Sequence, residues 1–196
     1  MHKLGLIGKN ISYSFSKTYF KNKFEKEQIA NVSYENFDID NIALFPSIME
    51  NTEGIKGFNV TIPYKEAIIP FLDALDETAK KIGAVNTIKV SKNNQLIGYN
   101  TDCHGFKNSL KPLLKPHHKK ALILGTGGAS KAVAFSLKEL NINYDFVSRT
   151  SKNGVNFTYD SLTDEIIKQH QIIINCTPIG TFPNVDACPN IPFGAI

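Results

Sequence analysis

Residues 121–130 read ALILGTGGAS, and with KAVAFSLKEL after them they form the stretch that decides the fold. Ala121-Leu122-Ile123-Leu124 is short and wholly apolar, the composition of a parallel strand buried on both faces. Ala132, Val133, Phe135, Ser136, Leu137 and Leu140 then follow helical spacing. Between the two lie Gly125, Thr126, Gly127, Gly128, Ala129 and Ser130. In that setting Gly125 permits a tight turn, Gly127 lets backbone approach a pyrophosphate, and the helix N-terminus offers unpaired N–H groups and partial positive charge to the anion. Ser130 stands where G-x-G-x-x-G has its third glycine, so helix and strand must pack around a slightly larger residue. A dinucleotide site is the reading; a glycine loop that merely ends a buried strand is the bland alternative.

The next strand, Tyr144–Ser148, selects the dinucleotide. NAD sites place Asp or Glu at its end, about 20 residues on, to hold the ribose hydroxyls. Here it ends Val147-Ser148-Arg149-Thr150, and Asp145 lies too early in the strand to reach a ribose. Arg149 can fork onto a 2′-phosphate, with Ser148, Thr150 and Lys152 as further donors. The expected cofactor is therefore NADP. Arg149 is also the single Arg beside 21 Lys among the 22 basic residues, a bias that AT-rich coding can produce.

Outward from this stretch the chain alternates strand and helix. Strands are predicted near 3–7, 32–38, 56–61, 85–90 and 95–99, the last two flanking the turn Lys92-Asn93-Asn94. Helices are predicted near 16–28, 40–51, from Pro63, from about Asp76 and over 103–114. A further helix near 161–169 and the apolar run Ile172-Ile173-Ile174 repeat the βαβ rhythm. The expected class is α/β: an N-terminal α/β substrate domain (1–102), a connecting helix and linker (103–117), and an incomplete Rossmann-type dinucleotide domain (118–196). About three clear strands are legible in the last, against six in a full dinucleotide fold.

Composition narrows the function. The chain has 196 residues, 42% hydrophobic, with a net charge of +4, and its charges are too dispersed for the basic stripe that nucleic-acid binding needs. His117-His118-Lys119-Lys120, the densest basic run, reads as a solvated linker, having no interleaved aromatic residues. Cys103, Cys176 and Cys188 lack disulfide or metal-ligand spacing and read as free thiols in a reducing compartment. Neither a signal peptide nor an apolar run of about 18 residues is present, so a cytoplasmic protein without membrane, nucleic-acid or metal partners is expected.

Four polar clusters sit at predicted strand ends or helix starts in the first half: Ser14 with Ser16, Asn59-Val60-Thr61 with Lys65, Asn86-Thr87, and Asn100-Thr101-Asp102. In open α/β sheets ligands bind at those carboxyl ends. Each cluster alone has a structural explanation, as helix caps, a core amide or a solvated lysine. Lys65 stands out, because a helix started by Pro63 would place it near the positive end, where a cation is disfavoured by roughly 0.3–1 kcal/mol. A Lys and Asp within hydrogen-bond reach make a proton donor and its orienting partner, suited to carbonyl reduction.

Ser14-Phe15-Ser16, Gly57–Lys65 (GFNVTIPYK), Gly83–Thr87 (GAVNT), Gly98–Gly105 (GYNTDCHG), Gly125–Ser130, Ser148-Arg149-Thr150 and Asn175–Gly180 (NCTPIG) together resemble the successive motifs of shikimate dehydrogenases, in order and spacing over nearly the whole chain. The resemblance implies NADPH-dependent reduction of 3-dehydroshikimate to shikimate, on the pathway to chorismate and aromatic amino acids. It implies that Ser14 and Ser16 hold the substrate carboxylate and that Thr61, Lys65, Asn86 and Asp102 bind ring oxygens. Lys65 would move the proton and Asp102 would position it. Glu77 matches a cofactor-associated position for which the residues themselves supply no reason. A homodimer is compatible with the family. The resemblance further implies a tail beyond Ile196, with more strands, nicotinamide contacts and a closing helix, so weak cofactor binding and poor turnover are expected of these 196 residues.

Rival readings are an NAD-linked quinate/shikimate dehydrogenase of the same superfamily and a noncatalytic shikimate- or nucleotide-binding module. Ser14-Phe15-Ser16-Lys17 also satisfies S-x-x-K, but without the S-D-N and K-T-G strings of penicillin-binding enzymes the motif is set aside.

Overall fold

The computed structural model describes residues 1–195, which divide into two compact units, Met1–Thr101 and Asp102 onward. In the first, β1 (His2–Gly8), β2 (Val32–Asp38) and β3 (Ile55–Val60) are parallel, with β1 between the other two. Next come β4 (Ala74–Leu75), β5 (Thr87–Val90) and β6 (Leu96–Tyr99). β5 runs antiparallel to both β3 and β6, and the sheet order is β2-β1-β3-β5-β6-β4. The β5–β6 hairpin turns at Asn94, which takes a φ of 58°.

Alternation along β1 sends Ile7 to one face and Leu6 to the other. Ile7 joins the main core with Phe45, Phe58, Val60, Tyr64, Ile68, Val85 and Ile88. Leu6 meets Ile11, Tyr34, Phe20 and Phe24, the last two from α1 (Ser16–Lys26). The remaining helices of this unit are α2 (Phe45–Asn51), preceded by a 3-10 turn at Ile42–Leu44, and α3 (Glu77–Ile82).

The helix expected from Pro63 does not form. Residues 62–68 make turns that lead into a 3-10 turn at Ile69–Phe71. The reason is a long-range bond: the Lys65 carbonyl accepts from Val85 N–H at 2.7 Å, so Ile69 N–H closes on Glu66 instead of Lys65. Lys65 therefore sits in a turn tied to the approach to β5, not at a helix N-terminus, and the macrodipole argument for it falls.

The second unit opens with α4 (Asp102–Leu110) and carries a parallel sheet of β7 (Lys120–Leu124), β8 (Asn143–Ser148), β9 (Phe157–Thr158) and β10 (Ile172–Asn175), in order β10-β7-β8-β9. Counted in sequence that order is 4-1-2-3, the first half of a doubly wound sheet. It holds four strands where about three were legible, because β9 is only two residues long. β7 is buried on both faces: Ala121 and Ile123 pack with Val133, Ala134 and Leu137 of α5 (Gly128–Glu139), while Leu122 and Leu124 pack with Val147, Leu162 and Ile167. α4 belongs to this core too, since Ser136 Oγ of α5 donates to the Cys103 carbonyl at 2.8 Å. The helix expected over 161–169 shortens to α6 (Asp164–Lys168), behind a 3-10 turn at Tyr159–Ser161.

Lys120 corrects the linker reading of the basic run. It starts β7, and its ammonium lies 2.7 Å from Asp145 Oδ2. The same oxygen lies 3.0 Å from Nε2 of His170, whose side chain is fully buried. Among the described residues no helix is long and apolar enough to cross a membrane. No group of three or more metal-ligating side chains occurs among them either.

Candidate active site

In the first unit the strand register aligns polar side chains across the carboxyl ends of β1 and β3. Asn59 of β3 stands opposite Thr87 of β5, and Thr87 opposite Tyr99 of β6. Along this line Tyr34 Oη donates to Asn59 Oδ1 at 2.8 Å, and Asn59 Nδ2 reaches Thr87 Oγ1 at 3.4 Å. Thr87 Oγ1 donates to Asn86 Oδ1 at 3.1 Å. Asn86 in turn grips Thr101, accepting its backbone N–H at 2.8 Å and donating Nδ2 to its Oγ1 at 2.9 Å. At the other end Ser16 begins α1, and Phe20 of that helix stacks on the Tyr34 ring at 4.4 Å between centroids. A row of hydrogen bonds thus joins Tyr34 to Thr101, and Asp102 is the next residue in the chain.

The candidate residues sit on this row or beside it. Ser14 Oγ accepts Ser16 N–H at 3.3 Å, which sets the two hydroxyl-bearing residues together at the start of α1. Thr61 leaves β3 with its N–H on the Ile7 carbonyl at 2.9 Å. Its methyl would lie 2.6 Å from a Cβ at position 8, so glycine there makes room for it. Lys65 is half-buried four residues further on. Asn86 is only 8% exposed, and the neighbouring Asn100 donates to the Ala84 carbonyl at 2.9 Å. Asn86 is thus the buried amide that the structural alternative allowed, and it also orients the segment leading to Asp102. Glu77 is exposed at the start of α3, capped by Asp76, where its charge complements the helix dipole; this supplies the local reason that its sequence context lacked.

In the second unit Gly125 takes a φ of 102°, and its N–H bonds the Val147 carbonyl at 2.9 Å. A Cβ there would be strained by the backbone and would meet Cys176 O at 3.2 Å. Gly127 caps α5 without any side-chain hydrogen bond, and a Cβ built on it would meet nothing within 4 Å. Bare backbone and uncapped N–H groups together are what a phosphate needs. Ser130 is fully buried and resolves the missing third glycine by donating its hydroxyl to the Gly127 carbonyl at 2.7 Å. Ser148 ends β8, followed by exposed Arg149, Thr150 and Lys152. The Arg149 charge reaches Tyr159, whose buried hydroxyl has no hydrogen-bond partner among the described residues. Asp145 is committed elsewhere. Burial would raise its carboxyl, but the bonds and charges of Lys120 and His170 outweigh burial and hold it below the ordinary carboxylate value.

Sequence reasoning missed Tyr34, which looks like any β-strand aromatic. The signal open to it was the alternation of β2, which turns Tyr34 toward the same small core as Leu6. Burial raises its phenol pKa to about 12, with the Ser16 hydroxyl opposing the rise, so the group stays protonated as a donor. Burial likewise pushes the Cys176 thiol to about 12, which makes it an inert neighbour of the glycine turn.

The sequence pattern of the shikimate dehydrogenase substrate binding domain matches residues 6–88, the span that carries most of this row. The NADP(+) shikimate dehydrogenase of Methanosphaera stadtmanae is 38% identical over 95% of this chain and 71% of its own length. Among solved structures, shikimate dehydrogenase 1 from Peptoclostridium difficile shares 37% identity and a TM-score of 0.81, covering 96% of this chain and 72% of that one. The Thermus thermophilus shikimate 5-dehydrogenase, solved in complex with NADP(H) and shikimate, shares 29% identity with a TM-score of 0.82, over all of this chain and 75% of that one. An α/β substrate unit followed by the first strands of a dinucleotide fold, with relatives this similar along nearly its whole length, places the chain in the shikimate dehydrogenase family.

Proposed function

We propose that the chain is an NADP-dependent oxidoreductase that interconverts 3-dehydroshikimate and shikimate, working in the cytoplasm on the route to chorismate and aromatic amino acids. The observation that carries this reading is the row of hydrogen bonds from Tyr34 through Asn59, Thr87 and Asn86 to Thr101. It runs across the strand ends of the first unit to the residue before Asp102, and it supports a site built on those ends.

In this reading Ser14 and Ser16 donate to the substrate carboxylate, which explains how a unit without any Arg binds an anion. Thr61, Asn86 and Asp102 hold ring oxygens. Lys65 protonates the carbonyl oxygen as it becomes a hydroxyl and takes that proton back in the oxidative direction; Asp102 orients the ammonium. The Thr126–Ala129 backbone at the start of α5 would hold the cofactor pyrophosphate, and Arg149, with Ser148, Thr150 and Lys152, the 2′-phosphate. NADPH, when bound, supplies the hydride to the carbonyl carbon. Glu77 is kept as a cofactor-associated residue on the family resemblance alone. A homodimer is compatible with the family, and sedimentation reads it out. The functional test is oxidation of shikimate followed by formation of NADPH. Turnover that depends on both compounds and is lost in Lys65→Ala supports the reading, and a Lys65→Ala variant with full activity overturns it.

A further inference from the structure

The row of hydrogen bonds has a direction, and Tyr34 sets it. Tyr34 is 6% exposed, and its ring is stacked on Phe20 of α1. Its hydroxyl donates to Asn59 Oδ1 at 2.8 Å, which turns the other end of that amide, Nδ2, toward Thr87 Oγ1 at 3.4 Å. An amide N–H can only donate, so Thr87 meets Asn59 as an acceptor and gives its own single proton to Asn86 Oδ1 at 3.1 Å. Were the Asn59 amide reversed, its oxygen would face Thr87 and compete with Asn86 for that one proton. A phenol shares its oxygen lone pairs with the ring and donates better than it accepts, so Tyr34 favours the observed direction.

We infer that Tyr34 is a positioning residue for substrate recognition: by holding the oxygen of the Asn59 amide, it directs the Thr87 proton to Asn86, the amide assigned to the ring oxygens. The inference rests on the reading of Asn86 as a substrate residue. Tyr34→Phe keeps the ring and its stacking and removes only the donor. The Asn59 amide can then reverse, and Asn86 Oδ1 loses the Thr87 hydroxyl while keeping Thr101 N–H at 2.8 Å. Loss of one neutral hydrogen bond from the anchoring of Asn86 corresponds to roughly two- to tenfold weaker binding.

The test is calorimetric binding of shikimate to the parent chain and to Tyr34→Phe, Thr87→Val, the two combined, Thr87→Ser, Phe20→Leu and Asn86→Ala. Tyr34→Phe should weaken binding roughly two- to tenfold. The double variant should match Thr87→Val within about twofold, because without the Thr87 hydroxyl the direction of the amide no longer matters. Thr87→Ser keeps that hydroxyl, and Phe20→Leu loosens the ring packing but keeps the phenol, so both should stay within about twofold of the parent. If the parent does not bind shikimate, or Asn86→Ala binds it as well as the parent, the reading of Asn86 is wrong and the inference falls with it. If Asn86→Ala binds poorly while Tyr34→Phe binds like the parent, or the Tyr34→Phe and Thr87→Val losses multiply in the double variant, the inference alone is wrong. Phe20→Leu matching Tyr34→Phe, or Thr87→Ser matching Thr87→Val, would mark the effect as packing and overturn it too. A second measurement needs no variant: in the parent, nuclear Overhauser contacts from the Asn59 amide protons should be stronger to Thr87 than to the Tyr34 ring, and the reverse order overturns the inference.

Discussion

Replacing Asn86 with alanine should cost both stability and turnover, and the structure sets the size of each. The amide accepts Thr101 N–H at 2.8 Å and Thr87 Oγ1 at 3.1 Å, and donates to Thr101 Oγ1 at 2.9 Å. At roughly 0.5–1.5 kcal/mol per bond, the three together contribute about 1.5–4.5 kcal/mol. Thr101 is exposed, so water can satisfy its groups once the amide is gone, whereas Thr87 is half-buried and less easily rescued. The expectation is therefore about 2–3 kcal/mol, read as a lower urea midpoint with an unchanged slope. Freed from the amide, Thr101 no longer fixes the start of α4, and an ångström of drift in Asp102 is enough to slow turnover about 100-fold. Asn93→Ala, in the exposed turn between β5 and β6, should change stability by less than about 0.5 kcal/mol. An Asn86→Ala chain within about 0.5 kcal/mol of the parent and within twofold of its turnover would refute the claim that this row organises the site.

Lys65→Met should reduce kcat by roughly 100- to 10,000-fold while shikimate still binds, since it removes the proposed proton donor; steady-state kinetics with calorimetry separates the two effects. Arg149→Gln should raise KM for NADP about 10- to 100-fold and leave NAD unaffected, the cost of one charge-assisted bond to the 2′-phosphate, measured with both cofactors. The Asp145 carboxyl is held low in the folded state, so that state binds fewer protons than the unfolded chain. Its stabilisation is full above the ordinary carboxylate value of about 4 and fades as pH falls through the lower folded value. Asp145→Asn should accordingly flatten the acid limb of the stability-versus-pH curve recorded by denaturation. Gly125→Ala should destabilise the chain by about 1–2 kcal/mol, because φ is 102° and the Cys176 carbonyl crowds the added methyl; thermal unfolding reads it.

Local chemistry made the second unit readable. Four apolar residues ahead of Gly125 need no tertiary information to declare a strand buried on both faces, and β7 is one. Lys65 shows where local reading ends. Pro63 is an ordinary helix-start signal, but the deciding bond comes to the Lys65 carbonyl from Val85, twenty residues beyond Lys65, and no pattern near Pro63 encodes it. β4 and β9, at two residues each, are too short to carry a period. The contacts of Asp145 with Lys120 and His170 join residues 25 apart, and they exist only once β7, β8 and the end of α6 are assembled. The polar clusters at the strand ends were legible as four separate groups. Tyr34, the side chain whose hydroxyl donates to Asn59, was not, because nothing in its neighbours distinguishes it from a core aromatic.

The most direct measurement is the ratio of kcat/KM for shikimate with NADP to that for quinate with NAD, on this chain. The account predicts that shikimate with NADP is the preferred pair and that Arg149→Gln narrows the ratio. Faster turnover of quinate with NAD would contradict it.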